Sequence, residues 1–194
     1  ADEVNNFINE NIKFNDFEFA RVNNYQYRSN NKAQGLENIL YICPHCKKEF
    51  RIAAWHNDIW CSECHQEFVI NDNYSFEKNE LGVTDIHHFY QLQKNYQKGL
   101  LDDDYRIETN VKVKKLDLDK KKNNQYGNGT CYLTKEKFGF IGFINHQEVE
   151  FEIPVKILKA LAFSCGKEFE CYYQDYLYYF YPEDGRECVK YAMI

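Results

Sequence analysis

The sequence predicts an α+β protein that is mainly β, and three observations lead to this fold class. Two Cys-x-x-Cys pairs are separated by 14 residues within short apolar runs. Aromatic residues make up 17% of the chain and concentrate in alternating runs near its C-terminus, where broad pleated strands use them. Helical spacing of apolar residues is confined to short segments beside these runs.

Composition limits the class of protein. With 194 residues, 44% of them hydrophobic, the chain is long enough for one sizeable core or two small ones. No run approaches the roughly 18 apolar residues that span a bilayer, and the N-terminus ADEVNNFINE does not resemble a signal peptide. Four of the eight cysteines form Cys-x-x-Cys pairs, which favours metal-binding thiolates in a reducing cytoplasm over a disulfide framework.

Residues 1–35 form a lead-in segment that we expect to be partly helical. Val4, Phe7, Ile8 and Ile12 follow helical spacing, whereas the following FNDFEFARVNNYQYRSNN is expected to be extended. The segment has too few apolar residues for a core of its own. It either packs on another part of the protein or is a frayed terminus.

Residues 36–72 carry the spacing Cys-x2-Cys-x14-Cys-x2-Cys. The runs LYICPHC and DIWCSEC each deliver one pair, and FRIAAW and EFVI follow as strands. Four thiolates converge on a tetrahedral Zn²⁺ when each pair turns back on itself and a hairpin joins the pairs. The sequence therefore predicts a zinc ribbon with structural Zn²⁺, and its ligands are Cys43, Cys46, Cys61 and Cys64.

Alternatives to this zinc site are four unrelated buried cysteines or a redox dithiol, but the latter would need a single Cys-x-x-Cys that opens a helix. The pattern departs from the usual knuckle because Lys47 and His65 stand where Gly often takes a left-handed conformation. The cost is about 1–2 kcal/mol per site at most, which metal ligation on the order of 10 kcal/mol overrides. His45, His56 and His65 lie nearby, yet four thiolates leave no open position for a catalytic water.

The charge of this segment argues against nucleic acid as a partner. The whole chain has a net charge of -6, and residues 36–72 hold three Lys or Arg against six Asp or Glu. A tetrathiolate zinc centre adds two further negative charges, so this surface would repel phosphates. Stacking of a base on an exposed Trp55 or Trp60 remains the alternative.

Residues 73–104 are predicted to contain a connector helix, with Thr84 as its cap and Gly99 as its C-terminal stop. Its apolar stripe comprises Ile86, Phe89, Tyr90 and Tyr96.

Residues 105–194 are predicted to form an antiparallel β domain with a C-terminal helix from Glu183 to Ile194. The predicted strands are YRIETNVKV, GTCYLT, FGFIGFI, EVEFEI, KEFECYY and YLYYFY, and the turns are NNQYGNG, INHQ, CG and QD. The remaining cysteines are expected to pack as small, inert hydrophobic residues. They are Cys131, Cys165, Cys171 and Cys188.

We find no catalytic constellation in the sequence and expect that this chain is not an enzyme. The neighbours His87 and His88 point about 100° apart on a helix and cannot both face one metal. The acidic run from Asp102 to Asp104 is typical of a solvated turn after a helix.

The order of several segments resembles a known family. The segments are GLENILYICPHCKKEF, DIWCSECHQEF, TDIHHFYQLQKNYQKGLL, GTCYLTKEKFGFIG and YLYYFYPEDGRECVKYA. Together they resemble the C-terminal extension of 1-acyl-sn-glycerol-3-phosphate acyltransferases from low-GC Gram-positive bacteria, from about Phe17 to the end. The family's catalytic domain carries His-x-x-x-x-Asp, a motif that no histidine of this chain begins. The resemblance therefore implies an accessory part without the catalytic half.

The second half separately resembles GRAM and pleckstrin-homology (PH)-like domains, in which a Gly-x-x-x-Leu-Thr strand begins a meander and a C-terminal helix closes a barrel. Gly129, Leu133 and Thr134 match that start. The resemblance implies an antiparallel GRAM/PH-like β-barrel.

These resemblances predict a function and a location. The chain would be a non-catalytic accessory or regulatory module, joined in cis to the catalytic domain of a phospholipid-synthesis acyltransferase. It would lie in the cytoplasm, peripheral at the inner face of the cell membrane. The stretch VKVKKLDLDKKKNN carries six Lys against two Asp and is the predicted contact for anionic lipid, through Lys115, Lys120, Lys121 and Lys122. The alternatives are a solvated loop and, for the whole chain, a stand-alone zinc-ribbon adaptor that binds protein or nucleic acid.

Overall fold

The chain folds as two compact units, Ala1–Gln93 and Lys94–Ile194. The computed structural model describes residues 2–12, 15–102, 104–117, 124–158 and 161–193. Both units contain antiparallel sheets, and the protein is α+β and mainly β, as the sequence predicts. In the part of the chain that the structure describes, none of the helices has the length and apolarity needed to cross a bilayer.

The first unit combines short helices with a three-stranded antiparallel sheet of order β1-β2-β3. Its helices are α1 (Asp2–Ile12), α2 (Asp16–Val22) and a single 3₁₀ turn (Leu36–Asn38). Its strands are β1 (Ile52–Trp55), β2 (Asp58–Cys61) and β3 (Glu67–Val69). A further helix, α3 (Ile86–Gly99), begins in this unit and crosses its boundary.

Helix α2 lies where the sequence predicts an extended segment, so that prediction is wrong for these residues. Asn15 caps the helix, because its side chain accepts the backbone N–H groups of Phe17 at 3.1 Å and Glu18 at 3.2 Å. Acidic residues in the first turn and Arg21 in the last turn also complement the helix dipole. These local interactions stabilise a helix that apolar periodicity alone does not predict.

Asp85, and not Thr84, caps α3. The carboxylate of Asp85 accepts the backbone N–H of His88 at 2.8 Å, together with hydrogen bonds from Thr84 Oγ1 at 3.1 Å and Arg21 Nη1 at 3.2 Å. The predicted cap is therefore one residue too early, since the helix begins at Ile86. Because Arg21 belongs to α2, this ion pair connects the lead-in segment with the start of α3 inside the first unit.

The core of the first unit extends beyond the predicted ribbon. The ring of Phe68 in β3 packs against Phe76 and against Phe89 of α3, each at 5.3 Å between centroids. Phe89 is fully buried, and Ala33 and Val83 belong to the same buried cluster. Residues on both sides of 36–72 thus complete the hydrophobic core of the ribbon.

The second unit is a seven-stranded antiparallel sheet of order β7-β6-β5-β4-β10-β9-β8, followed by helix α4 (Glu187–Met193). Its strands are β4 (Arg106–Asp117), β5 (Asn124–Thr134), β6 (Lys137–Ile144), β7 (Gln147–Pro154), β8 (Ala162–Ser164), β9 (Glu168–Tyr173) and β10 (Tyr176–Pro182). The alternating runs that predict strands all lie in this sheet.

The predicted closure of this sheet into a barrel is not observed. Two meanders, β4 to β7 and β8 to β10, join through the pairing of β10 with β4. Closure would require β7 to pair with β8, but among the described residues these two strands are the edges of the sheet. Strand β8 has three residues, which offers too short a ladder for the eight residues of β7.

Six residues of the predicted turn NNQYGNG, Asn124 to Gly129, form the first part of β5, and the first residue of the run lies outside the described residues. These six residues are in a strand because the glycines among them allow close approach of β6. A Cβ on Gly127 would lie 1.8 Å from the carbonyl oxygen of Phe143, and Gly129 stands directly opposite Gly142. Side chains at these positions would push the two strands apart.

Three of the four cysteines outside the pairs pack in the second core, as predicted. Cys131, Cys171 and Cys188 are buried, and burial raises the pKa of the latter two to about 12. Cys165 is exposed, so the prediction of inert packing is wrong for this residue. It lies in the turn between β8 and β9, where no core covers it.

Candidate metal centre

The four predicted ligands meet at one point of the first unit. The sulfur atoms of Cys43, Cys46, Cys61 and Cys64 all lie within 4.8 Å of one another. The Cys43–Cys64 and Cys46–Cys61 sulfur distances are 3.6 and 3.7 Å. Across the described residues this is the one group of three or more His, Cys, Asp or Glu side chains close enough to share a metal ion.

Each Cys pair lies in a knuckle, and the two knuckles share the same geometry. The N–H of Lys47 donates to the carbonyl of Cys43 at 3.0 Å, and the N–H of His65 donates to the carbonyl of Cys61 at 2.9 Å. Lys47 and His65 adopt φ values of 62° and 59°. The left-handed conformation predicted for these two non-glycine residues is thus present, and the surrounding structure must hold it.

Backbone N–H groups point at the sulfurs. Cys46 accepts a hydrogen bond from the backbone of Lys48, and Cys64 accepts the corresponding bond from Gln66. Donors of this kind stabilise a negatively charged acceptor. The knuckles therefore provide local compensation for thiolate charge.

Three of the cysteines, Cys43, Cys46 and Cys64, have shifted pKa values. Burial raises the pKa of Cys43 well above its ordinary value and also raises that of Cys46. Burial acts in the same direction on Cys64, but hydrogen bonds from the Gln66 backbone and the His45 side chain outweigh it and lower the pKa to about 6. Cys64 therefore ionises more readily than Cys43 and Cys46. A metal ion must displace protons from Cys43 and Cys46.

The donor set fits zinc. Zinc–sulfur bonds of about 2.3 Å in a tetrahedron imply sulfur–sulfur separations of about 3.8 Å, close to the 3.6 and 3.7 Å observed. Four thiolates are also the ligand set typical of a structural zinc site. A catalytic zinc site instead has three protein ligands and one open position.

None of the nearby histidines belongs to the sulfur cluster of the described residues. His45 acts on the site as a hydrogen-bond donor to the sulfur of Cys64. His56 lies with Nδ1 3.1 Å from the carbonyl oxygen of Asn30 and 3.0 Å from Asn31 Oδ1.

Gln93 supports the site and was missed in the sequence. Its Oε1 accepts the backbone N–H groups of Tyr41 at 3.0 Å and Ile42 at 3.3 Å, and its Nε2 donates to the carbonyl of Ile39 at 2.8 Å. The residue is 2% exposed. Gln93 thus fixes the backbone that leads directly to Cys43. The sequence feature that could have predicted this role is the position of Gln93 one helical turn after Phe89, on the buried face of α3.

Gln93→Leu is expected to destabilise the first unit by about 1–3 kcal/mol, because it leaves buried backbone groups without partners at nearly unchanged volume. We also expect zinc to be lost at a lower chelator concentration. Thermal unfolding and chelator competition measure both effects. Gln91→Leu on the same helix, where the side chain is only half-buried, is the matched control. Equal behaviour of the two variants would contradict the role assigned to Gln93.

The predicted lipid contacts divide into two groups. Lys120, Lys121 and Lys122 lie outside the described residues. Lys115 is half-buried, with its Nζ 3.6 Å from the ring centroid of Tyr176, and burial lowers the pKa of its ammonium group. This contact holds Lys115 against the sheet by a cation–π interaction.

Fold and site together define the class of this chain: a mainly antiparallel α+β protein with a four-cysteine centre suited to a structural metal. No protein-family model matches the chain, and neither a curated protein nor a solved structure shows significant similarity to it.

Proposed function

We propose that this chain is a non-catalytic accessory or regulatory module of a phospholipid-synthesis acyltransferase that converts lysophosphatidic acid to phosphatidic acid. Structural Zn²⁺ stabilises its first unit, and its second unit binds membrane lipid or a partner. The observation that carries the non-catalytic assignment is the closed set of four thiols, which leaves a tetrahedral metal no position for water or substrate. The acyltransferase assignment rests on the sequence resemblance.

The topology of the second unit supports a GRAM/PH-like fold. The strand that contains Gly129, Leu133 and Thr134 belongs to an antiparallel meander, in which it follows β4, and a C-terminal helix comes after the sheet. Helix α4 packs on the sheet through Tyr191, whose hydroxyl donates to the carbonyl of Cys131 at 3.1 Å and whose ring stacks on Phe169 at 4.5 Å. Fold likeness alone does not establish lipid binding, so the ligand is argued from charge and position.

The end of β4, the start of β5 and two turns lie at one end of this sheet. Asp117 pairs with Tyr176, Leu116 with Asn124, and Gly127 with Ile144. The end of β4 and the start of β5 therefore lie at the same end of the sheet as the turns 145–146 and 174–175. In the sequence, Lys120 to Lys122 stand between Asp117 and Asn124. We place the contact with anionic lipid headgroups at this end, where each lysine near the surface contributes about 1 kcal/mol.

Binding to vesicles tests this proposal. We expect more protein to sediment with phosphatidylglycerol than with phosphatidylcholine vesicles at low salt, and the difference to shrink as salt screens the charges. A triple Lys→Ala change at Lys120, Lys121 and Lys122 should weaken binding at least about tenfold. The matched control is the same change at the exposed Lys48, Lys78 and Lys98. Equal recovery of the protein on both lipids, or an equal loss of binding in both triple variants, would contradict lipid binding by Lys120 to Lys122.

The catalytic partner is expected in cis. A reading frame that encodes His-x-x-x-x-Asp upstream of this chain supports the proposal, and a frame without it favours the alternative. Acyl transfer to lysophosphatidic acid by the purified chain above background would contradict the non-catalytic assignment, because the histidine general base and its Asp partner are missing.

The alternative is a stand-alone zinc-ribbon adaptor, and one observation favours it. Trp55 is 66% exposed at the end of β1 and packs edge-on against His56 at 4.9 Å. Exposed tryptophans are common anchors in protein interfaces. If Trp55→Ala abolishes the binding of a protein partner and leaves vesicle binding unchanged, the adaptor function is favoured over the lipid-binding function.

A further inference from the structure

Strand β7 presents a long free edge. It pairs with β6 over all eight residues, from Gln147↔Ile144 to Pro154↔Lys137. In the described ranges no strand lies on its other side. The opposite edge of the sheet, β8, has three residues. A long edge strand is a template for another chain unless it is covered or charged.

The hairpin that begins β7 determines which backbone groups face outward. Asn145 and His146 form a two-residue turn with φ values of 49° and 65°, so Ile144 and Gln147 close the ladder as a hydrogen-bonded pair. Hydrogen-bonded and non-bonded pairs then alternate along the strands. The N–H and C=O groups of Glu148, Glu150 and Glu152 therefore point to the free edge.

The acidic and the apolar side chains of β7 lie on opposite faces of the sheet. Phe151 and Ile153 pack in the core, whereas Glu148, Glu150 and Glu152 project from the other face. Glu152 is engaged by Lys137 Nζ at 2.6 Å, which leaves Glu148 and Glu150 as the exposed acids of the edge. Two β7 strands paired antiparallel would place glutamates opposite glutamates, which is destabilising. The charge pattern thus disfavours a second copy of this chain and favours a basic strand.

An apolar groove lies beside the end of β7. It has a volume of about 460 Å³ and is lined mainly by Ile153, Ile157, Leu158, Tyr172 and Tyr173. Ile157 and Tyr172 are 68% and 62% exposed. A strand added to β7 would run next to this groove. Every second side chain of that strand would be buried in the groove.

We propose that the β7 edge binds an extended segment of a partner protein in which basic residues alternate with apolar ones. The segment adds as a further antiparallel or parallel strand, and its backbone bonds to the outward groups of the three glutamates. Main-chain hydrogen bonds supply affinity in this mode of recognition, and alternate side chains supply specificity. Basic side chains lie on the face of Glu148 and Glu150, and apolar side chains lie on the side of the groove.

Synthetic peptides of about nine residues test the proposal, since this length matches the edge. The probe is a fluorescein-labelled peptide of alternating Lys and Val, measured by fluorescence anisotropy on the full chain. We expect a peptide of alternating Glu and Val to bind at least about tenfold more weakly. Two further forms of the Lys–Val peptide carry N-methyl groups on alternate residues, one form on the odd-numbered and the other on the even-numbered residues. Each form keeps the charge of the peptide but loses half of its backbone N–H donors. One of the two methylated forms should lose binding by a similar factor.

Variants locate the interaction. Glu148→Gln combined with Glu150→Gln should weaken binding of the Lys–Val peptide at least about tenfold at low salt. The matched control is Glu77→Gln with Glu80→Gln, which makes the same charge change at exposed positions of the first unit. In the complex, the amide protons of Glu148 and Glu150 should exchange more slowly. Full binding by both methylated peptides, unchanged exchange, or equal weakening by the two double variants would overturn the proposal.

Discussion

Cys61→Ser is expected to release the metal and unfold the first unit. Cys61 is buried at the end of β2, and its sulfur lies 3.7 Å from that of Cys46. Metal binding in small zinc peptides is worth on the order of 10 kcal/mol, which is comparable to the whole stability of a typical domain. Loss of one thiolate therefore removes a large part of what holds the ribbon together.

Elemental analysis and circular dichroism measure this prediction. The unmodified protein should carry one equivalent of zinc per chain, and the variant should carry nearly none. Its second unit should stay folded, because the buried clusters of the two units are separate. Cys165→Ser, which changes an exposed cysteine, should retain the metal. Less than about half an equivalent of zinc in an intact unmodified protein after gentle purification would refute the structural zinc site.

Phe180→Ala is expected to cost the second unit about 3–5 kcal/mol, the range for removal of a buried Phe side chain. Phe180 is fully buried in β10. Its ring lies 5.2 Å from that of Phe169 and 5.6 Å from those of Phe138 and Phe140. The substitution would therefore leave a cavity among three aromatic rings that come from β6 and β9, two strands that β5, β4 and β10 separate in the sheet.

The control for this prediction is Phe143→Ala on the same sheet, where the side chain is 55% exposed. It should change the free energy of unfolding by less than about 0.5 kcal/mol. Denaturant unfolding followed by tyrosine fluorescence compares the two, and zinc content should be the same in both. Similar losses in the two variants would mean that the aromatic cluster around Phe180 is not the core of the unit.

The ligands of the metal centre were predictable because their geometry is local. Two residues between cysteines suffice to form a knuckle, and the left-handed φ of Lys47 and His65 follows from that turn. The strands were predictable for a similar reason, since alternation with a period of two marks a sheet with one buried face. Gly127 was misread as a turn residue, because the close approach of β6 that requires a glycine there is not a local property.

The sequence by itself determined the α+β class, the four-cysteine cluster and most strands of the second unit, because spacing and periodicity are properties of neighbouring residues. Tertiary structure decided which helix completes the ribbon, how Gln93 supports Cys43, and which strand remains an edge. These features depend on contacts between residues far apart in the chain, such as Phe68 with Phe89 and β10 with β4. Their energies come from burial and hydrogen-bond satisfaction in the folded state, which local pattern does not encode.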